Sequence, residues 1–272
     1  MEFVQYAEDD GIAIISLDRP DARNAQHPPL LRELDECFDR AATDDGVRVI
    51  ILRANGKHFS SGHDISPEGA AIWAREVDLE NKGLAGLYAW ERENYLGMSR
   101  KWRDIPKPTI AAVQGACIAG GLMLCWPCDL IVAADDAKFS DPVARMGIAG
   151  VEFHGHTWEL GARKAKELLF TGRFIGAEEA EKLGMVNRVV PRESLDEEVL
   201  SLAREIAQMP PFALAQAKRA VNQTLDIMGF YNSLQSVFDI HATGHGNALS
   251  VSEGKLAILI GLDEMKKGGK HT

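Results

Sequence analysis

Hydrophobic and polar positions change their spacing several times along the chain. The segment "FVQYAEDDGIAIISLDRP" alternates and then runs apolar around Asp9-Asp10-Gly11, which predicts two strands joined by a tight turn and ended by Pro20. Downstream, "PPLLRELDECFDRAATDD" places apolar residues at 30, 31, 34, 38 and 41. That is helical spacing, with prolines where a helix start tolerates them. "VRVIILRAN" reads as a buried strand, followed by the loop "GKHFSSGHDISPEG" and a long helical region from about 70 to 102. "PTIAAVQG" and "CDLIVAA" are two more buried strands, separated by a glycine turn and the apolar run "LMLCW". Beyond Gly155 the pattern is mostly helical: two short helices, the strand-like "VNRVV", then two longer helices up to about residue 228. Strands buried on both faces and alternating with helices predict an α/β fold with parallel pairing.

Composition narrows the function classes. The 272 residues are 46% hydrophobic and 26% charged, enough apolar material for a substantial core. A net charge of −10 argues against nucleic acid and anionic membrane as partners, because both need a basic footprint. It leaves room for an anionic small molecule held by local Arg and Lys. The acidic N-terminus "MEFVQYAEDDG" has no apolar signal-peptide core, and the longest apolar stretch is broken by Gln114, glycines, Pro127 and Asp129. The expected location is the cytoplasm.

Residues 117–130, "CIAGGLMLCWPCDL", carry two competing signals. Cys125 and Cys128 form a Cys-x-x-Cys, but they close an apolar run instead of opening a helix after a strand. Buried, inert thiols are expected there, and neither a disulfide framework nor a second Cys pair for zinc exists. The glycines are the other signal. "KHFSSGHDI" and "VQGACIAGGL" each follow a buried strand, and each can turn backbone N–H groups toward a ligand.

With both turns in place, the chain resembles the crotonase (enoyl-CoA hydratase/isomerase) superfamily. The likeness spans about residues 12–227 through "ISLDRPDARNAQ", "VRVIILRANGKHFSSGHDI", "KPTIAAVQGACIAGGLMLCWPCDLIVAADDAKFSDP", "LGARKAKELLFTGRFIGAEEAEKLGMVNRVVP" and "AKRAVN". The resemblance implies a spiral of ββα units over residues 1–195 holding the CoA site. It also implies a helical C-terminal trimerisation region over 196–272, and a homotrimer or dimer of trimers. It implies a CoA thioester substrate, no cofactor beyond that CoA moiety, and an enolate held by two backbone N–H groups. Carried onto this chain, the oxyanion donors are His63 and Gly120, with Ala119 in place of a first glycine. The CoA contacts fall on Ala22, Arg23, Ala25, Ser61, Asp64 and Ile65.

The chain departs from the family's hydratases at both catalytic glutamates, whose positions hold Met123 and Val143. Neither can move a proton, so a non-standard acid/base is expected. The segment "GIAGVEFHGHTWELGARKAK" crowds Glu152, His154, His156 and Glu159 together. Glu152 is the first candidate, with a pKa raised by its apolar neighbours, and His154 the second. The bland alternative has these residues facing solvent or capping the next helix, with Thr157 as cap. No metal is expected, since His154 and His156 lack a third ligand. The imidazole of His63 reaches the acyl group or turns back to the backbone. Asp141 stands beside the lost second glutamate. His241 and His245 read as surface or trimer contacts, and Trp73, Tyr88, Trp90 and Trp102 as core or pocket lining. Isomerisation, unusual hydration, decarboxylation and thioester hydrolysis all fit this reading. The rivals are a catalytically silent acyl-CoA-binding oligomer and a thiol redox protein.

Overall fold

The computed structural model describes residues 1–251. Strands β1 (Val4–Asp9) and β2 (Ile12–Leu17) pair antiparallel. Asp10 and Gly11 between them both take positive φ, as a two-residue hairpin of this twist requires. Helix α1 (Pro28–Thr43) follows, capped by His27 and burying Leu30, Leu31, Leu34, Phe38 and Ala41. β3 is Val49–Ala54.

The long helical region is real but broken. It comprises α2 (Pro67–Ala74), α3 (Leu79–Glu91), a π-helical turn (Arg92–Gly97) and α4 (Met98–Arg103). Then come β4 (Thr109–Val113), β5 (Ala116–Ile118), the short α5 (Leu122–Cys125), β6 (Leu130–Ala134) and β7 (Lys138–Ser140). Helix α6 (His156–Thr171), β8 (Ile175–Gly176), α7 (Ala177–Leu183) and β9 (Arg188–Val190) lead to three final helices. These are α8 (Leu195–Ala207), α9 (Pro211–Ile227) and α10 (Phe230–Val251). The expected helical region extends to residue 272, and 252–272 lie outside the described residues.

The main sheet has the order β1-β2-β3-β4-β6-β9, parallel from β2 onward, and a small sheet joins β5, β7 and β8. The central strands are buried on both faces. Ile50 and Leu52 point into the main core with α1, while Val49 and Ile51 pack under Leu195, Val199 and Ala203 of α8. This explains their continuous apolar runs. Three loops leave the carboxyl ends of the adjacent strands β2, β3 and β4, where parallel sheets place their ligand sites. Among the described residues, no helix is long and apolar enough to cross a membrane.

The Cys-x-x-Cys belongs to this core. Cys117 and Cys125 are fully buried with sulfurs 3.8 Å apart, and burial pushes the thiols of Cys125 and Cys128 far up. A thiol-reactive probe should therefore label Cys125 only after unfolding. Native labelling within minutes would return the redox reading.

Glu159, in the first turn of α6, edges a groove with Trp126, Trp158 and Phe230. Burial pushes its carboxyl up to about 7, against the pull of the helix start for negative charge. The fold thus prefers the neutral form, while the unfolded chain ionises near the ordinary glutamate value. Stability should fall as pH rises from about 4.3 toward 7 and then level off. Thermal unfolding of Glu159→Gln should match wild type at pH 4 and exceed it at pH 8. A wild type less stable than the variant at both pH values would refute this assignment.

Candidate active site

The three loops are tied together by backbone. Gln26 N–H donates to the Gly62 carbonyl at 2.8 Å, and Asp64 N–H to the Gln26 carbonyl at 2.7 Å. Ile118 N–H donates to the Ser60 carbonyl at 3.0 Å. Asn24 organises the first loop. It is fully buried with φ +52°, a left-handed conformation that asparagine tolerates. Its Oδ1 accepts from Arg19 N–H, and its Nδ2 donates to the carbonyls of Asn55 and His58. The Ser60 hydroxyl donates to its carbonyl at 2.8 Å. The turn at Ala119–Gly121 opens with Ala119 at φ +48°, strained for a non-glycine residue.

A groove of about 590 Å³ runs along these loops. Ala22, Arg23, Ala25, Ser61, Asp64 and Ile65 all line it, so the six expected CoA contacts converge. Arg23 is exposed at its edge. Asp64 is not a free charge: it accepts from Arg19 Nη1 at 2.6 Å and from Ser66 N–H. Burial pushes its carboxyl up, but these donors outweigh burial and hold it below the usual carboxylate range. The groove ends where Ser61, His63, Ile65, Ile118 and Pro142 also line a smaller, more enclosed cavity of about 60 Å³.

The cavity walls are mostly apolar, with Val143, Met146, Ile148 and Val151 among them, yet five titratable side chains enter it besides Tyr95. They are His63, Glu91, Glu152, His241 and His245. His63 Nε2 lies 3.1 Å from Glu152 Oε2. An ionised carboxylate can only accept, so Nε2 carries the proton and Nδ1 presents a lone pair. That Nδ1 is buried without a partner. The imidazole edge bearing it faces Gly120: a Cβ there would fall 2.8 Å from Cε1 and 3.0 Å from Nδ1. Tyr95 stacks on the His63 ring at 4.0 Å and 15°. Glu152 Oε1 lies 3.5 Å from His241 Nε2, and Glu91 lies 3.4 Å from both His241 and His245.

Several expectations change here. Glu152 does face the cavity, but its pKa moves the other way. Burial pushes it up, while His63 and His241 beside it outweigh that and lower it to about 2. The carboxylate therefore stays ionised. His241 and His245 are not surface residues, being 3% and 1% exposed. His241 is raised to about 9: burial pushes it down, and Glu152 and Glu91 pull it up further.

His154 does not line the cavity. Its Nε2 pairs with Thr157 Oγ1 at 2.9 Å, and burial and His156 lower it to about 4. Thr157 accordingly makes no cap on α6. Asp141 is wholly occupied. Its carboxylate accepts from Val151 N–H and His156 Nε2, both at 2.9 Å, and from Val143 N–H. These bonds fix the loop so that Glu152 turns inward and His154 does not. Met123 is buried core, and Val143 is a cavity wall. Trp73 and Trp90 meet edge to face beside Tyr95, Trp102 stacks on Phe38, and Tyr88 donates to Asp239.

Sequence reasoning missed Glu91, Tyr95 and Asn24. Glu91 ends α3 and Tyr95 sits on the π-helical turn. Such turns shift side-chain facing within a helix and collect at functional sites. The helical period alone does not reveal them.

Comparisons with known proteins identify the family. The family model described as enoyl-CoA hydratase/isomerase matches residues 7–248. The chain is 44% identical over 272 residues to "Putative enoyl-CoA hydratase EchA13" of Mycobacterium tuberculosis, covering 94% of this chain and 85% of that protein. A crystal structure of a probable enoyl-CoA hydratase from Mycobacterium smegmatis is 62% identical, with TM-score 0.86 over 93% of this chain and 99% of the other. An enoyl-CoA hydratase/isomerase from Xanthobacter autotrophicus Py2 is 32% identical, with TM-score 0.83 over 96% and 97%. A match over most of the chain, the shared α/β fold and a groove leading to a titratable cavity all point one way: the protein belongs to the enoyl-CoA hydratase/isomerase family, the crotonase superfamily.

Proposed function

We propose that the protein moves a proton at the carbon next to the carbonyl of a short acyl-CoA thioester, with reversible hydration of a 2-enoyl chain as the net reaction. The CoA moiety lies in the long groove, with Arg23 at hand for phosphate. The thioester carbonyl sits at the neck and accepts from the N–H groups of His63 and Gly120. Those donors stabilise the negative charge that develops on the oxygen as water adds to C3. Nδ1 of His63 takes the proton from that water and returns it to C2. Glu152 orients the ring and balances its charge, and Tyr95 holds its plane. The small volume of the cavity beside the open groove supports a short acyl chain.

One observation carries this reading. The unpartnered Nδ1 of His63 faces Gly120 while its Nε2 is fixed by a buried carboxylate. A nitrogen so oriented is a general base beside an oxyanion site, the geometry that proton transfer requires. The loss of both family glutamates, at Met123 and Val143, favours a second reading, a binder without turnover. The exposed apolar residues Phe212, Val221 and Ile227 on α9 support contact between copies of the chain.

Exchange of the C2 hydrogens of butyryl-CoA in deuterated water tests the central step without presuming the net reaction. Wild type should incorporate deuterium. His63→Gln, which keeps the backbone N–H and removes the imidazole, should lose about 10²–10⁴-fold in exchange rate while still binding the ester. Exchange undiminished in the variant overturns the role of His63. No exchange in wild type, with ester binding intact, supports the silent binder.

A further inference from the structure

We infer that Glu91, His241 and His245 form a divalent transition-metal site, with zinc as the best fit, in the inner wall of the cavity. Their ligand atoms all lie within 4.8 Å of one another, and all three residues are buried. His241 and His245 stand four apart on α10, so both project from one helix face, the spacing by which helices present paired imidazoles to a metal.

Hydrogen bonding leaves this cluster unfinished. His241 Nδ1 donates to the Gly150 carbonyl at 2.7 Å. That bond fixes the ring and turns Nε2 toward Glu91 and Glu152, as the outer bond of a metal-bound histidine does. Yet Nε2 has no hydrogen-bond partner, standing 3.4 Å from one carboxylate and 3.5 Å from the other. Glu91 Oε2 is likewise buried without a partner. Long contacts leave this bonding incomplete, and a metal cation taking the place of the His241 proton would complete it.

Distances place the three groups around one point. Glu91 Oε2 to His241 Nε2 and Glu91 Oε1 to His245 Nε2 are each 3.4 Å, a different carboxylate oxygen facing each imidazole. Small side-chain shifts bring both nitrogens and one oxygen to the bond lengths of about 2.0–2.1 Å that zinc takes. Two imidazoles and a carboxylate are also a zinc donor set with a fourth position open. Glu152 Oε1 or water would fill that position. Metal-bound water is acidified, which suits the hydration proposed above. That use rests on the proposed function; the site itself does not.

The test is metal binding without any thioester. Chelator-treated protein is titrated with Zn²⁺ by calorimetry, and its metal content is measured after dialysis. Co²⁺ then reports geometry through the intensity of its visible bands. Wild type should take up one ion per chain with the strong absorption of tetrahedral Co²⁺. Glu91→Gln and His245→Ala should each weaken binding by more than about 100-fold, whereas His63→Gln should keep it. Variant folding is checked by circular dichroism. No tight binding by folded wild type overturns the inference, as does equal binding by Glu91→Gln and wild type. Because no acyl ester is present, failure here leaves the deuterium-exchange result standing, and the converse also holds.

Discussion

Glu152→Gln should lower turnover by about 10²–10⁴-fold while leaving the affinity for the CoA ester within about threefold. The carboxylate lies 3.1 Å from His63 Nε2 and can only accept, so it selects the tautomer with a free Nδ1. A glutamine amide can donate instead. It then favours the opposite tautomer, whose Nδ1 is protonated and useless as a base. The substitution is nearly isosteric, and Glu152 is absent from the groove lined by Arg23, Ser61 and Ile65, so binding should survive. Steady-state kinetics over a panel of 2-enoyl esters, beside calorimetry with a saturated ester, separates the two effects. If His63 and Glu152 act as a unit, the double variant Glu152→Gln/His63→Gln should be little worse than either single one. Additive losses would show that Glu152 moves protons on its own. Unchanged turnover would remove it from the mechanism.

The parts of this site that the sequence could reveal were the parts made of backbone. "SSGHD" and "CIAGG" specify turns that glycine permits after buried strands, and the family resemblance then pointed within them to His63 and Gly120. Ala22, Arg23, Ala25, Ser61, Asp64 and Ile65 came from the resemblance alone, and all six line the groove. What stayed hidden was side-chain direction over long separations. Glu91, Tyr95, Glu152, His241 and His245 come from three distant segments. No local period reveals that α10 turns its histidines into the cavity, because their neighbours Asp239, Thr243 and Asn247 make that helix look like a surface one. The sign of the Glu152 shift was misread on the same ground. Val151 and Phe153 are apolar neighbours in sequence, but the deciding partners, His63 and His241, lie about 90 residues away in either direction. Short strands such as β5, β7 and β8 were missed because three residues or fewer carry no period. Asn24 was passed over as one polar residue in a loop, although its three hydrogen bonds hold two loops in register.

Glycine substitutions can separate backbone strain from loss of the proposed oxyanion donors. Gly62 has φ +89°, and a methyl there would lie 2.7 Å from the Ile118 carbonyl and 3.2 Å from Gly120 N. Gly62→Ala should therefore push the turn that presents the Gly120 N–H. Gly120→Ala acts from the other side, with its methyl 2.8 Å from His63 Cε1 and 3.1 Å from Gln26 Oε1. The ring cannot yield freely, being held between Tyr95 and Glu152. Each variant should lose about 10²–10³-fold in turnover, the scale of one oxyanion donor. Gly184 is the control. It too has positive φ, +85°, but nothing lies within 4 Å of its would-be Cβ, and it closes α7 away from the cavity. Gly184→Ala should cost about 1–2 kcal/mol of stability and leave turnover unchanged. Thermal unfolding and steady-state kinetics on the three variants then give a clear contrast. If activity tracks stability alone across all three, the turns are merely structural. If Gly62→Ala and Gly120→Ala lose turnover far beyond their loss of stability, the effect lies in the donors themselves. A developing charge on the thioester oxygen depends on their placement to within a few tenths of an ångström, and a displaced turn cannot supply that.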